Sequence, residues 1–316
     1  MKFSVTIPAF KAAYLQECIE SIIAQTFDDF EIIVVNDNSP EDIDSILCKF
    51  DDKRLRYFRN EVRFGAEHVV ENWNKCLEYA RGEYVICMGD DDRLRPNCLS
   101  DLIELIEKYP MLDVYYSRTE LIDEHSQTYV VYDTRPERET VYEMIYNRWH
   151  GGSMLIGNYC YRADALRKRG GFYDLPFAWG ADAISAYQGG EKAGIANTRQ
   201  VGFQYRTNRY SISRKVDNIA GKVRALTLQR KWFENFFRKV PDNEEDRKIL
   251  CLLRNELDEH FQQMFARDIV YGISINPLKQ TRFWLTNFSS YGLSFVFVFK
   301  CVCKGIFKFI KDKCQE

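Results

Sequence analysis

The feature that most constrains this chain is an alternation of two periodicities over roughly its first 110 residues. Short apolar runs read as strands: KFSVTIPAF from Lys2, FEIIVVND from Phe30, LRYFRN from Leu55, EYVICMG from Glu83 and LDVYYSRTELID from Leu112. Between them lie segments with apolar residues at helical spacing, such as Leu15, Cys18, Ile19, Ile22 and Ile23 in the stretch Tyr14 to Thr26. SPEDIDSILCKF, EHVVENWNKCLEYARG and PNCLSDLIELIEKYP supply the other helices, the second stopped by Gly82 and the third bracketed by Pro96 and Pro110. In the first of these, Ser39 is the expected N-cap, Pro40 the first helical residue, and Asp42 stands where Glu or Gln would complete a capping box. Strands separated by helices predict an α/β fold with a mostly parallel, Rossmann-like sheet flanked by helices. Such sheets bind ligands beyond the carboxyl ends of their strands.

Three polar elements fall at such ends: Pro8-Ala9-Phe10, Asn36-Asp37-Asn38 and Asp90-Asp91-Asp92. They are distant in sequence, and the fold rule predicts that they converge at one edge. Three consecutive carboxylates repel one another unless something neutralises them. As a bland feature they make a solvated turn. At the end of a strongly apolar strand they read instead as a site for Mg²⁺ or Mn²⁺, ions that bind one or two carboxylates together with substrate phosphates. No G-x-x-x-x-G-K-[ST] and no G-x-G-x-x-G after the first strand is present, so the cation and loops must hold the phosphates. Asp37 reads either as a turn residue capping the next helix or as an acceptor for a base N–H or a ribose hydroxyl. Asp182, in GADAIS, is either a first-turn acid favoured by the helix dipole or a general base.

The remaining sequence is less regular. HGGSMLIGNYCYRADALRKRGGFYD, from His150, reads as a glycine-rich loop, a strand, a helix and a glycine turn, and TRQVGFQYRTNRYSISR as a strand into a basic loop. From about residue 216 the pattern is helical. The histidines at 68, 125, 150 and 260 make no metal-ligand spacing, and only His150, before Gly151-Gly152, lies in a loop able to face a cleft. A net charge of −2 supplies no basic field for nucleic acid, and the ten cysteines are scattered without any C-x-x-C. Free thiols of this kind fit a reducing, cytoplasmic setting, and a strand pattern beginning at Phe3 leaves no room for a signal peptide. No apolar run reaches the roughly 20 residues of a spanning helix.

Taken together, SVTIPAFKAAYLQECIESIIAQTFDDFEIIVVNDNSPED, YARGEYVICMGDDDRLRPNCL and GGFYDLPFAWGADAIS resemble glycosyltransferase family 2, the inverting nucleotide-sugar transferases of GT-A fold. The resemblance implies a catalytic domain over residues 1–215, with a nucleotide-binding half at 1–110 and an acceptor-side half at 111–215, then a helical extension at 216–316. It implies that Pro8, Ala9 and Phe10 contact the nucleotide and that Asp37 reads the base, usually uracil. Asp90 and Asp91 lie in the family's ribose- and diphosphate-binding region, and Asp92 with Asp91 would hold the Mn²⁺ or Mg²⁺. The family often reads DSDD here, and Gly89 at the first of those positions shifts the match toward the second and third acids of the run. Asp182 falls at the catalytic base. Arg206 and Arg209 lie in a loop near the donor phosphates, where the family's frequent histidine is absent, and Arg63 and Asn74 align with donor-side positions. The implied partners are a nucleotide-sugar donor and a glycan or lipid-linked glycan acceptor in surface polysaccharide or glycolipid synthesis. The competing readings are a sugar nucleotidyltransferase, whose usual glycine- and arginine-rich loop TIPAFKAAYL lacks, and a silent sugar-nucleotide-binding protein.

The tail GLSFVFVFKCVCKGIFKFIKDK has its own pattern. As a helix it places Lys300, Lys304, Lys308 and Lys311 on one arc and Phe295, Val298, Phe299, Val302, Ile306 and Phe309 opposite. That is the pattern of an interfacial helix making peripheral membrane contact through 291–313 on the cytoplasmic face. The alternatives are a helix packed on the protein with its lysines in water, and an edge strand at SFVFVF.

Overall fold

The computed structural model describes residues 1–208 and 218–314. The strands are β1 (Phe3–Ala9), β2 (Phe30–Asn36), β3 (Leu55–Arg59), β4 (Tyr84–Cys87), β5 (Arg93–Leu94), β6 (Val114–Ile122), β7 (Thr128–Val131), β8 (Arg138–Glu139), β9 (Tyr159–Arg162) and β10 (Ile195–Arg206). The helices are α1 (Leu15–Ile23), α2 (Ile43–Leu47), α3 (Val69–Tyr79), α4 (Cys98–Lys108), α5 (Val141–Trp149), α6 (Ala163–Lys168), α7 (Ala181–Gly190), α8 (Ile219–Phe236), α9 (Glu244–Ile275), α10 (Pro277–Asn287) and α11 (Phe295–Lys313). They form two compact units, one of Met1–Asp174 with Ala181–Arg209, the other of Leu175–Gly180 with Tyr210–Glu316.

The first unit is built on one sheet of order β3-β2-β1-β4-β9-β6-β10-β5, with β7 on β6 and β8 on β10. β3, β2, β1 and β4 run parallel, in register from Phe3 against Phe30 and Tyr84. Beyond β4 the sheet becomes mixed: β9 is antiparallel to β4 and β6, while β6 and β10 are parallel. The parallel order expected from the alternating periodicity therefore holds where strands and helices alternate strictly. It gives way where β9, reached from β6 through β7, β8 and α5, enters between β4 and β6 in the opposite direction. Because β1, β2 and β4 are parallel neighbours, their carboxyl ends open on the same edge. The core under them is the alternating apolar set the sequence shows, including Val5, Ile7, Ile32, Val34, Ile86, Leu15, Ile19 and Ile22.

Two local expectations are corrected. The N-cap of α2 is Asp42, whose carboxylate accepts from Ser45 N at 3.1 Å, so the helix starts at Ile43. Ser39 is engaged elsewhere: its hydroxyl donates to Phe10 O at 2.5 Å and accepts from Glu41 N at 3.0 Å. The tail stretch SFVFVF is not a strand. Ser294 caps α11 by accepting from Phe297 N at 3.2 Å, and the helix runs on for 19 residues.

The second unit is helical. α9 packs against α8, α10 and α11 around Leu253, Phe261, Phe265, Ile269 and Ile273. Asn243 starts α9 by accepting from Glu245 N at 2.8 Å, and Glu244, Glu245 and Asp246 occupy its electropositive first turn. No helix among the described residues is long and apolar enough to cross a membrane.

One buried ion holds the parallel half together. Glu31, in β2 and 1% exposed, accepts from Ser4 Oγ of β1 at 2.7 Å, Arg81 N before β4 at 2.7 Å and Arg56 Nη1 of β3 at 2.6 Å. Burial opposes its charge, but the bonds from Ser4, Arg56 and Arg81 win and hold its carboxyl below the ordinary 4.5. Glu31→Gln is expected to cost about 2–3 kcal/mol in urea unfolding at neutral pH. A depressed carboxyl stabilises above its unfolded pKa and loses that contribution as pH falls, so the gap between variant and wild type should close below about pH 4. An undiminished gap at pH 3 would show that Glu31 acts by packing and not by charge.

Candidate functional site

The site is built from the loops that follow β1, β2 and β4. Asp90, two residues beyond Met88, turns its carboxylate toward the end of β1. Its Oδ2 accepts from Phe10 N and Lys11 N, both at 2.7 Å. The second loop is drawn in from the other side: Asp37 N donates to Ala9 O at 2.9 Å, and Ser39 Oγ to Phe10 O. Pro8-Ala9-Phe10, Asp37 and the three acids thus meet at one edge, as the parallel topology requires.

The three acids have different surroundings. Asp90 and Asp92 are buried and Asp91 is half-buried. Burial, reinforced by the neighbouring Asp91 charge, pushes Asp90 up to about 6, with Lys11 and the Phe10 and Lys11 amides opposing it. The same two causes, in the same order, hold Asp92 well above its ordinary value. Lys11 is the local counter-charge, its Nζ 3.0 Å from Asp91 Oδ2 and 4.0 Å from Asp90 Oδ1. Burial disfavours the Lys11 ammonium, but Asp90 and Asp91 outweigh it and raise its pKa.

Gly89 faces the carboxylates of Asp91 and Asp92. A Cβ there would stand 2.9 Å from both Asp91 Oδ1 and Asp92 Oδ2, so only glycine lets the two oxygens flank that space. Among the described residues no group of three or more His, Cys, Asp or Glu side chains is arranged to hold an ion alone. The pair fits a two-carboxylate site whose remaining ligands come from phosphate and water, a usual arrangement for Mg²⁺ and Mn²⁺.

Asp37 is buried and does not cap the following helix. Its Oδ1 accepts from Phe64 N at 2.8 Å and Asn60 Nδ2 at 3.2 Å, and its Oδ2 from Gly65 N at 2.9 Å. The loop after β3 is thereby folded over it. In that loop Arg63, exposed, lies with its guanidinium 4.2 Å from the Phe10 ring centroid. Arg63 and Phe10 thus form one stacked pair beside Asp37.

Arg206 sits beneath the acids and is 1% exposed. Its guanidinium donates to Asp91 O at 2.8 Å, Asp123 O at 3.0 Å, Ser126 Oγ at 2.9 Å and Glu17 Oε2 at 2.7 Å, and its backbone N–H to Asp92 Oδ1 at 2.9 Å. It braces the acid turn from below. Asn208 adds a bond from Nδ2 to Asp91 Oδ2 at 2.7 Å. Arg209 lies outside the described residues. Asn74, on α3, is directed to the turn after α6, where its Oδ1 accepts from Phe172 N at 2.9 Å. His150 ends α5, its Nδ1 2.8 Å from Tyr146 O and its ring stacked on Tyr146.

Asp182 opens α7 and is half-buried. Burial raises it to about 6, against the N–H of Ala183, which donates to its Oδ1 at 2.8 Å, and the charge of Arg148. The phenol of Tyr161 on β9 is held well above its ordinary value by burial first and by the Asp182 charge second, with Cys87 of β4 a lesser contributor. Asp182 is therefore within electrostatic reach of Tyr161 on β9, the strand paired with β4. Lys11, Asn60 and Glu17 also belong to this region but do not stand out in the sequence. Lys11 has one local signal, a lone cation directly after the first strand loop.

Comparison with known proteins bears on the family and the fold. The family model for glycosyl transferase family 2 matches residues 4–170. An uncharacterized glycosyltransferase of Rickettsia typhi is 30% identical over 171 residues, 52% of this chain and 52% of that protein. The Campylobacter jejuni GalNAc(5)-diNAcBac-PP-undecaprenol beta-1,3-glucosyltransferase is 39% identical over 106 residues, 33% of this chain and 34% of that one. The chain spans about half the length, or less, of these curated relatives. Among solved structures, S. aureus TarS 1-349 in complex with UDP-GlcNAc superposes with a TM-score of 0.65 at 18% identity, over 98% of this chain and 89% of that one. The Pyrobaculum calidifontis mannosyltransferase PcManGT, in complex with GDP-Man and Mn²⁺, gives 0.55 at 16% identity, over 99% and 88%. At these identities the superpositions establish a GT-A-type fold.

The electrostatics of the acid turn give a prediction. Buried like charges cost stability, so Asp92→Asn should raise the thermal midpoint of the metal-free protein at pH 7.5 by a few degrees, about 2–4 °C for each kcal/mol relieved. Differential scanning calorimetry in EDTA measures this. A lower midpoint would mean that the Arg206 amide bond to Asp92 outweighs the repulsion.

Proposed function

This chain belongs to glycosyltransferase family 2, and on that premise we propose that it transfers a sugar from a nucleoside-diphosphate sugar to an acceptor hydroxyl with inversion at the anomeric carbon. The observation that carries this reading is the convergence of Asp37 and the Asp90–Asp92 turn at the carboxyl ends of β1, β2 and β4. A UDP-sugar is the favoured donor, supported by the UDP-GlcNAc complex of the TarS fold relative. A surface glycan or lipid-linked glycan is the favoured acceptor, supported by the polyprenyl-diphosphate substrate in the name of the Campylobacter relative. The ten free cysteines suit a cytoplasmic location, with peripheral membrane contact through 291–313.

In this mechanism Asp37 accepts a hydrogen bond from the base, beside the Arg63–Phe10 stack and the backbone of Pro8 and Ala9. Asp90 keeps its bonds to the β1 loop and shapes the ribose pocket, with Asn74 a more distant support of the donor side. Asp91 and Asp92 would hold a Mn²⁺ or Mg²⁺, which when bound offsets the charge growing on the departing diphosphate. Arg206 fixes the turn that presents them. Asp182 takes the proton from the acceptor hydroxyl as its oxygen bonds to the anomeric carbon, and the bond to the diphosphate breaks on the opposite face. The products are the glycosylated acceptor, a nucleoside diphosphate and a protonated Asp182.

A carboxyl raised to about 6 is well suited to a base at neutral pH, because it is ionised yet retains affinity for a proton. The base form exists above that pKa, so kcat/KM should climb with pH through about 6 and then level. Asp182→Asn should lower turnover by about 10²–10⁴-fold with donor binding intact. Transfer within a few-fold of wild type would remove Asp182 from the base role.

Donor and ion can be tested together. A screen of UDP-, GDP- and dTDP-sugars with Mn²⁺ should raise the thermal midpoint with one nucleotide only, and EDTA should abolish both that rise and turnover until Mn²⁺ is restored. Release of pyrophosphate in place of nucleoside diphosphate would identify a nucleotidyltransferase. Binding without turnover on any acceptor would identify a silent binder.

A further inference from the structure

Helix α11 carries a buried apolar face and, beside it, an exposed one that is touched at its start by the Phe288 ring on Phe295, with centroids 5.8 Å apart. Val298, Cys301, Val302 and Gly305 are buried. Gly305 sets the rotation of the helix: a Cβ there would stand 2.6 Å from Cβ and Cγ2 of Ile273 on α9, so the two backbones come closest at this point. With Gly305 pressed on α9, Phe295, Phe299, Ile306 and Ile310 lie about 80–140° round the helix from it, within an arc of about 60° at 100° per residue. They are 53%, 50%, 37% and 53% exposed, and Val296 and Phe307 widen the arc at 63% and 71%. The Phe295 and Phe299 rings stack on one another, with centroids 6.1 Å apart.

The next arc round the helix, about 80° wide, holds Lys300, Lys304, Lys308 and Lys311. Asp312 is the only acid in the helix. A contiguous apolar and aromatic strip of this kind marks an interaction surface. A strip edged by lysines one turn apart matches the interface of a bilayer, with rings among the acyl chains and ammonium groups at anionic headgroups. The same lysines interrupt every turn, which excludes α11 as a span and leaves it lying in the plane.

We infer that α11 seats the protein on anionic lipid through the face Phe295–Phe299–Ile306–Ile310, with Lys300, Lys304, Lys308 and Lys311 at the headgroups. This rests on the peripheral contact proposed above and assigns it a face and a lipid charge. The packed face of the helix, Val298 to Gly305, takes no part.

The test uses the full chain and vesicle flotation, with phosphatidylcholine alone or mixed with phosphatidylglycerol. Wild type should float with the mixed vesicles, not with phosphatidylcholine alone, and less as salt rises. Phe299→Asp with Ile310→Asp should cut the floated fraction about tenfold or more, and Lys300→Glu with Lys304→Glu should abolish the preference for phosphatidylglycerol. The thermal shift with nucleotide sugar and Mn²⁺ is measured on each variant. It should match wild type, so a failed membrane assignment and a failed transferase assignment read out separately. Equal flotation on both vesicle types, or flotation of the Asp variant like wild type, would overturn the inference. So would a dimer in light scattering that the Asp variant disperses while wild type ignores vesicles, which would make the occupant a second copy of this chain.

Discussion

The carboxylate of Asp90 receiving the N–H groups of both Phe10 and Lys11 is the contact on which the site depends. It joins the end of β1 to the turn after β4, two segments that share no local sequence. Once that turn is anchored, Gly89 opens the space between Asp91 and Asp92, and Arg206 closes the turn from below through Asp91 O and the Asp92 carboxylate. The loop after β2 is held to the same β1 end by Asp37 N and Ser39 Oγ. Each segment contributes one or two bonds, and the parallel neighbours β1, β2 and β4 bring them within reach.

The arrangement stores electrostatic tension. Asp90 and Asp92 are buried beside Asp91, and one lysine is the nearest cation. Burial and mutual repulsion both favour the protonated form, which is why Asp90 and Asp92 are raised while Glu31, equally buried but met by three donors, is lowered. The contrast separates a structural carboxylate from carboxylates kept short of positive charge. A divalent cation with a diphosphate is the kind of ligand that such a deficit favours. Asp182 is raised by burial too, with the charge of Arg148 opposing it.

Much of this was legible in the chain. The β-branched runs and amphipathic spacings locate β1 to β4 and α1, α3 and α4, and the parallel-sheet rule places Pro8–Phe10, Asp37 and Asp90–Asp92 at one edge. What local reading missed has a common cause. Ser39 looks like a cap because caps are recognised by residue type, yet its hydroxyl is taken by Phe10 O, a partner 29 positions away. Arg206 reads as a phosphate contact from its loop and charge, whereas its guanidinium is consumed by Glu17, Asp91, Asp123 and Ser126. Asn74 is likewise engaged with Phe172 N. The short strands β5, β7 and β8 carry too few residues to show a period of two.

The tail shows the same division from another side. Its sequence specifies an amphipathic helix with a lysine arc, but treats all its aromatic and aliphatic residues as one face. Packing on α9 at Gly305 splits that face into a buried half and an exposed half. The sequence by itself determined β1 to β4 with the helices between them, the parallel half of the sheet and the edge where the acids gather, because periodicity and strand-end chemistry are local properties. Only the tertiary structure decided which polar groups are free to meet a ligand and which are consumed in bracing the turn. Hydrogen-bond partners lie tens of residues apart, and a donor's availability depends on what the fold places beside it.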